Sequence, residues 1–295
     1  MLDLPTQAAP MQYGWRCGHH QCHARVLPTT HHPIFKTGHG AQGLATQAAT
    51  LFNATLGVLP KHTGLQFGIS RNAVRGIYSN FYRFIESHVE RKQTDISFGS
   101  GDQDQWREVE ADEVTVGKRA DAEAPETRVT WDNFLGLVER GRPDSLVLVE
   151  LPARSTSKRS PGPGPITKQV WKPLAERWVQ GRNIILHTDS AKAYNLSVPG
   201  VVHTRVVHQK KKIAGKWVLP RYVVLERLDL GNDAPVYVKK GTQIIDGWWR
   251  ILRKHLRLTN PKTKAGVRQA VRVAQWRSWH QGEDLWAVLG ECLRL

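Results

Sequence analysis

The chain has 295 residues, enough to bury one large core or two smaller ones, and 42 Lys and Arg against 26 Asp and Glu leave a formal charge of +16. It has no run of about eighteen apolar residues, no signal-peptide pattern at its N-terminus, and 3 cysteines, too few for a disulfide framework. These features argue against a membrane span and for an intracellular protein, nuclear in a eukaryote and cytoplasmic or nucleoid-associated in a bacterium.

Residues 1–50 are rich in His, Gly, Ala and Thr, with weak periodicity. The stretch Cys17-Gly18-His19-His20-Gln21-Cys22-His23 gathers two thiols and several imidazoles, with His31 and His32 following. Zinc takes four such ligands, so Cys17 and Cys22 are candidate Zn²⁺ ligands. Residues 51–92 form a more regular region. Val74, Ile77, Tyr78, Phe81 and Ile85 recur at helical spacing, and Ser70 after the turn Gly68-Ile69 is a good N-cap for a helix starting at Arg71. Helix, glycine turn and helix fit a DNA-binding helix-turn-helix and equally an ordinary helical hairpin.

Residues 91–106 read as a polar linker and a domain boundary. Beyond it the period changes. Residues 108–116, 131–140 and 145–153 predict three strands, and 154–165 a basic loop full of chain breakers. The segment 166–181 predicts a helix bent at Pro173, 183–189 a buried strand, 201–208 another strand, and 247–258 a basic amphipathic helix. Strands first, then helix, strand and closing helix, predict an α/β domain with a mixed sheet over 106–295.

Charge is unevenly spread along this plan. Residues 100–150 hold thirteen acids, and 250–277 hold nine Lys or Arg and no acid. Such polarity points to a nucleic-acid partner, because phosphate contacts dominate affinity. A merely soluble basic protein or an RNA-associated one is the alternative. Arg250, Arg253, Lys254 and Arg257 are candidate phosphate contacts, as are Lys210, Lys211 and Lys212. The latter run also reads as a nuclear-import signal or a solvated turn, and Lys158-Arg159 carries the same ambiguity.

Three carboxylates stand out within the basic chain. Asp112 lies inside an alternating strand, with Glu113 facing the other side. Asp189 ends the apolar run Ile184-Ile185-Leu186, where it suits a site beyond a strand's carboxyl end or the N-cap of a helix at 190–194. Asp246 begins the basic helix, as a helix-start charge or as a ligand.

Together the three stretches resemble the DDE transposase domain of ISXO-type insertion sequences. The first is Glu110-Ala111-Asp112-Glu113-Val114-Thr115-Val116-Gly117, the second Thr188-Asp189-Ser190-Ala191-Lys192-Ala193-Tyr194, and the third Gln243-Ile244-Ile245-Asp246-Gly247-Trp248-Trp249-Arg250-Ile251-Leu252-Arg253. The likeness covers about residues 106–258. It departs at the third acid, Asp246 where the family has Glu, and at Gln243 where it has Asn. The resemblance implies an RNase H-like fold with flanking helices and metal-dependent DNA cleavage and strand transfer. Asp112 would bridge two Mg²⁺ or Mn²⁺ ions, Asp189 and Asp246 would each hold one, and His208 would orient a phosphate or water unless it is an ordinary strand histidine. It also implies a homo-oligomer assembled on DNA ends, a helix-turn-helix over 51–92 and a degenerate or truncated zinc ribbon over 1–50. A catalytically inactive, host-retained DNA-binding descendant is the alternative, and an RNA-binding nuclease-like fold a further rival.

Overall fold

The computed structural model describes residues 15–16, 25–26, 32–35, 42–100, 105–206, 211–213, 215–219, 223–231 and 235–294. Cys17, Cys22, His208 and Lys210 lie outside the described residues, as does the side chain of Lys211. The chain divides into two compact units, Met1–His88 with Gly282–Leu295, and Val89–Gln281. Among the described residues, no helix is long and apolar enough to cross a membrane.

In the first unit, β1 (Trp15–Arg16) pairs antiparallel with β2 (Arg25–Val26), Trp15 opposite Val26. Three helices follow, α1 (Leu44–Leu56), α2 (Pro60–Phe67) and α3 (Arg71–Gln93). Local chemistry sets their ends. Gly57 and Gly68 close α1 and α2 in the left-handed region, at φ 84° and 61°, where a side chain would be strained. Pro60 opens α2, and the Ser70 hydroxyl accepts from the Ala73 N–H at 3.2 Å as α3 begins. The buried stripe of α3 is the predicted one, Val74, Ile77, Tyr78, Phe81 and Ile85. Several polar groups inside this unit are paired: Asn53 donates to Thr63 and Gln66, and the Tyr78 hydroxyl donates to the Val58 carbonyl at 2.7 Å. The helix predicted to stop at a linker runs on to Gln93, so the division between the units falls inside α3 rather than within 91–106.

The second unit is α/β, built on a mixed sheet. β3 (Arg107–Ala120), β4 (Arg128–Glu139) and β5 (Arg142–Glu150) form an antiparallel meander, and β6 (Arg154–Ser157) continues along the same edge of β4. α4 (Lys168–Trp178), which contains Pro173, crosses over to β7 (Ile184–Thr188). β7 lies parallel to β3, and β8 (Val201–Arg205) parallel to β7. The strand order is β5-β4-β3-β7-β8. β7 is buried on both faces, as its unbroken apolar run requires of a parallel strand. One sheet face packs on α4 through Val109, Ala111, Leu135, Leu137, Trp171 and Ala175. Two small antiparallel hairpins follow, β9 (Lys211–Ile213) with β10 (Lys216–Val218), and β11 (Val224–Leu228) with β12 (Val236–Lys240).

α5 (Gln243–Thr259) and α6 (Lys264–Trp279) come next. α5 buries Ile245, Trp248, Trp249, Leu252 and Leu256 and exposes Arg250, Arg253, Lys254 and Arg257, the amphipathic split its sequence predicts. α6 caps the outer edge of β5. Arg272 donates to the Leu148 carbonyl at 2.8 Å, Gln275 and Trp279 donate to the Leu146 carbonyl at 3.0 and 2.8 Å, and the Leu148 N–H donates to Gln93 at 2.9 Å. Side chains thus satisfy an edge that would otherwise template another strand. The basic stretch 250–277 is therefore not all surface, since Arg272 is buried. α7 (Leu285–Cys292) belongs to the first unit, not to the 106–295 domain, because Trp286 packs edge-on against Phe52 of α1 at 5.5 Å.

Candidate active site

The faces of β3 separate its acids. Asp112 faces α5, where its carboxylate accepts the Trp249 indole N–H at 2.8 Å. Glu113 faces α4 and accepts the buried Tyr194 hydroxyl at 2.8 Å. Gly136 stands opposite Asp112 on β4, and a Cβ there would come within 2.6 Å of the Trp249 ring and 2.7 Å of Ile245. Its lack of a side chain is what lets α5 seat on the sheet and bring the indole to Asp112.

Asp189 follows β7, the parallel neighbour of β3, and its Oδ1 accepts the Ala191 N–H at 2.8 Å ahead of a 3-10 turn at Lys192–Asn195. This turn replaces the predicted helix at 190–194. Asp246 is exposed in the first turn of α5, three residues before Trp249, so the two share one helix face. Its Oδ2 accepts the Thr242 hydroxyl at 3.0 Å.

The acids act on one another. Burial, joined by the charges of Glu113, Asp246 and Asp189, pushes the Asp112 carboxyl up to about 8, against the Trp249 hydrogen bond that lowers it. Burial, with the Asp189 charge, raises Glu113 to about 7. Each of Asp112, Asp189 and Asp246 commits one oxygen to a protein donor and leaves the other without one. The donor chemistry suits Mg²⁺ or Mn²⁺. Among the described residues, however, no three His, Cys, Asp or Glu side chains come close enough to hold one ion together. As placed, the carboxylates are a mutually repelling set, not a closed ligand shell.

A second polar cluster fixes the start of α5. Glu110, fully buried, accepts the Ile244 and Ile245 N–H groups at 2.8 and 3.0 Å, an acidic cap on the helix N-terminus supplied from β3. Arg140 bonds Glu110 at 2.9 Å and Glu108 at 2.6 Å, and also donates to the carbonyls of Lys239 and Gly241. Glu108 meets His187 at 2.9 Å, and His187 meets Thr204 at 2.7 Å. The His187 hydrogen bond leads the causes that hold Glu108 below the ordinary carboxylate range. Sequence reasoning missed this network, although Glu108 and Glu110 lie in the same strand as Asp112. His203 on β8 bonds Thr188 at 2.8 Å, and burial lowers its pKa to about 4, so it is neutral.

Of the basic candidates, Lys212, Arg250, Arg253, Lys254 and Arg257 are exposed. No family model, no curated protein and no solved structure matches the chain.

Proposed function

We propose that the chain is a DDE-type polynucleotidyl transferase of the transposase kind, cutting and joining DNA with a divalent metal. The observation that carries this reading is the siting of three acids on one sheet and one helix: Asp112 in the central strand, Asp189 just past the adjacent parallel strand, and Asp246 one turn before the tryptophan that bonds Asp112. The strand order, three antiparallel strands and then two parallel ones, agrees with an RNase H-like fold. Asp112, Asp189 and Asp246 would hold the metal, and two ions, when bound, supply activation of a water or 3′-hydroxyl and neutralisation of the leaving oxygen. The chain's own part is orientation. Trp249 fixes Asp112, the Ala191 N–H fixes Asp189, and Thr242 fixes Asp246. The exposed bases of α5 and Lys212 contact phosphates.

A second reading, an inactive DNA-binding descendant of such an enzyme, is favoured by two separate observations. No three described ligands share an ion position, and Asp246 is one methylene shorter than glutamate. Nicking of supercoiled plasmid in Mg²⁺ or Mn²⁺ separates the two. An active enzyme loses at least about a hundredfold in rate in Asp112→Asn and Asp189→Asn, loses activity in Asp246→Asn, and keeps or gains it in Asp246→Glu. If wild type and Asp246→Glu are both inert in either metal yet bind DNA equally well, the second reading stands.

A further inference from the structure

On the α4 face of the sheet, away from Asp112, lies a cavity of about 310 Å³. Its polar wall is Glu113, Asn133 and Asp189, and its apolar wall Leu151, Ile166 and Val170. Arg154 braces the loop over it by donating to the carbonyls of Pro163, Gly164 and Pro165 at 3.1, 3.2 and 2.6 Å. The volume is at the low end for ligand pockets, so the occupant is small and flat-sided rather than drug-sized.

Asn133 is 5% exposed. Its Oδ1 accepts the Thr115 hydroxyl at 2.8 Å, which turns the amide Nδ2 into a donor with no partner in the protein. An amide donor on a cavity wall with no acceptor in the protein is one that an acceptor on a ligand can satisfy. Glu113 and Asp189 add acceptors. Tyr194 and the Ile166 N–H take part of the Glu113 carboxylate and Ala191 one oxygen of Asp189, yet a carboxylate has about four lone-pair sites. Thr115, Arg154 and Thr167 also line the cavity, but the Thr115 hydroxyl is given to Asn133, Arg154 Nη1 to the loop carbonyls, and Thr167 stands exposed at the mouth. The deep wall therefore offers the Asn133 donor and two carboxyl acceptors between apolar surfaces.

We infer that this cavity binds one unstacked guanine base of a DNA strand. Guanine's pairing edge carries the complementary set, an oxygen acceptor beside a ring N–H and an amino group, whereas thymine has one donor and adenine and cytosine present their amino group beside acceptors alone. Bases drawn out of a stack are read in this way, by their pairing edge between apolar side chains. Asp189 belongs both to the cavity and to the carboxylate set, so a base seated here brings its own phosphate to the edge of that set. The inference rests on the nucleic-acid reading above and deepens it.

Fluorescence anisotropy of the full chain with labelled single-stranded oligodeoxynucleotides, alike except for one central base, tests it. Guanine at that position binds about tenfold tighter than adenine or thymine, and inosine, which lacks the amino group, falls between. Thr167→Trp, at an exposed lining position whose side chain makes no capping bond, and Val170→Phe, on the apolar wall, both erase the preference while leaving the salt dependence of binding unchanged. Equal affinity for all four oligonucleotides overturns the inference, as does a guanine preference that survives in both variants. Competition by 2′-deoxyguanosine 5′-monophosphate at micromolar concentration assigns the cavity to a free nucleotide and overturns the DNA-strand assignment. Failure to bind any oligonucleotide sinks the nucleic-acid reading as well. Absence of plasmid nicking alongside a guanine preference sinks only the enzyme.

Discussion

Asp112 is where the cost of burying a carboxyl, increased by the acids around it, concentrates. Its folded pKa of about 8 lies above the ordinary value, so its contribution to stability is full below about pH 4 and is lost as pH rises through 8. Glu113, raised to about 7, acts in the same direction. His203 and His255 act in the opposite one, since burial lowers both to about 4. Their contribution is full above about 6.5 and is lost as pH falls towards 4. Between pH 7 and 9 the histidine contribution is constant, and the slope of stability reports the carboxylates. In metal-free buffer the thermal midpoint is expected to fall by roughly 2–6 °C over that range, taking about 1.4 kcal/mol per pKa unit and about 2–4 °C per kcal/mol. Asp112→Asn should remove most of the fall. Mg²⁺ added at pH 8 should raise the wild-type midpoint and leave that of Asp112→Asn unmoved. A wild-type midpoint flat from pH 7 to 9 would mean that neither burial nor the neighbouring acids raise Asp112 and Glu113 as their positions imply.

α5 is the element on which the site depends, because it carries Asp246, delivers Trp249 to Asp112 and exposes the basic residues. Two features fix it: the Glu110 cap on its N-terminus and the room that Gly136 leaves beneath it. In Gly136→Ala the new methyl meets a ring and a branched side chain already packed on the sheet, so the variant should lose about 1–3 kcal/mol and the indole should shift from Asp112. Adding Trp249→Phe shortens the ring that is struck. A double-mutant cycle by chemical denaturation should then show the Gly136→Ala loss shrinking by at least about 1 kcal/mol in the Phe background. Strictly additive losses would show that the glycine is not what admits the tryptophan.

At the scale of the molecule, what could be read from the sequence and what could not divide by range. The α5 and α3 stripes follow a period of 3.6 residues and need only local pattern, whereas β3 and β4 are legible as strands but are not buried in the simple alternation their sequence predicts. Glu110 under α5, Gly136 under Trp249, Arg272 on the β5 edge and Asn133 facing the cavity left no such trace, since each partner lies far along the chain and reveals itself only once the sheet has formed. Arg272 also shows why a run of basic residues is not yet a binding face: charge is legible in sequence, but burial is not. The four α5 bases do reach solvent, on the side opposite the core stripe. Neutralising Arg250, Arg253, Lys254 and Arg257 together should therefore weaken duplex binding across unrelated sequences and flatten the plot of log affinity against log salt by about 0.9 for each phosphate contact removed. Replacing Arg272 instead should lower the thermal midpoint and leave that slope alone, because its guanidinium holds the Leu148 carbonyl. An unchanged slope in the fourfold variant would move the DNA face off α5 and onto another surface of the chain.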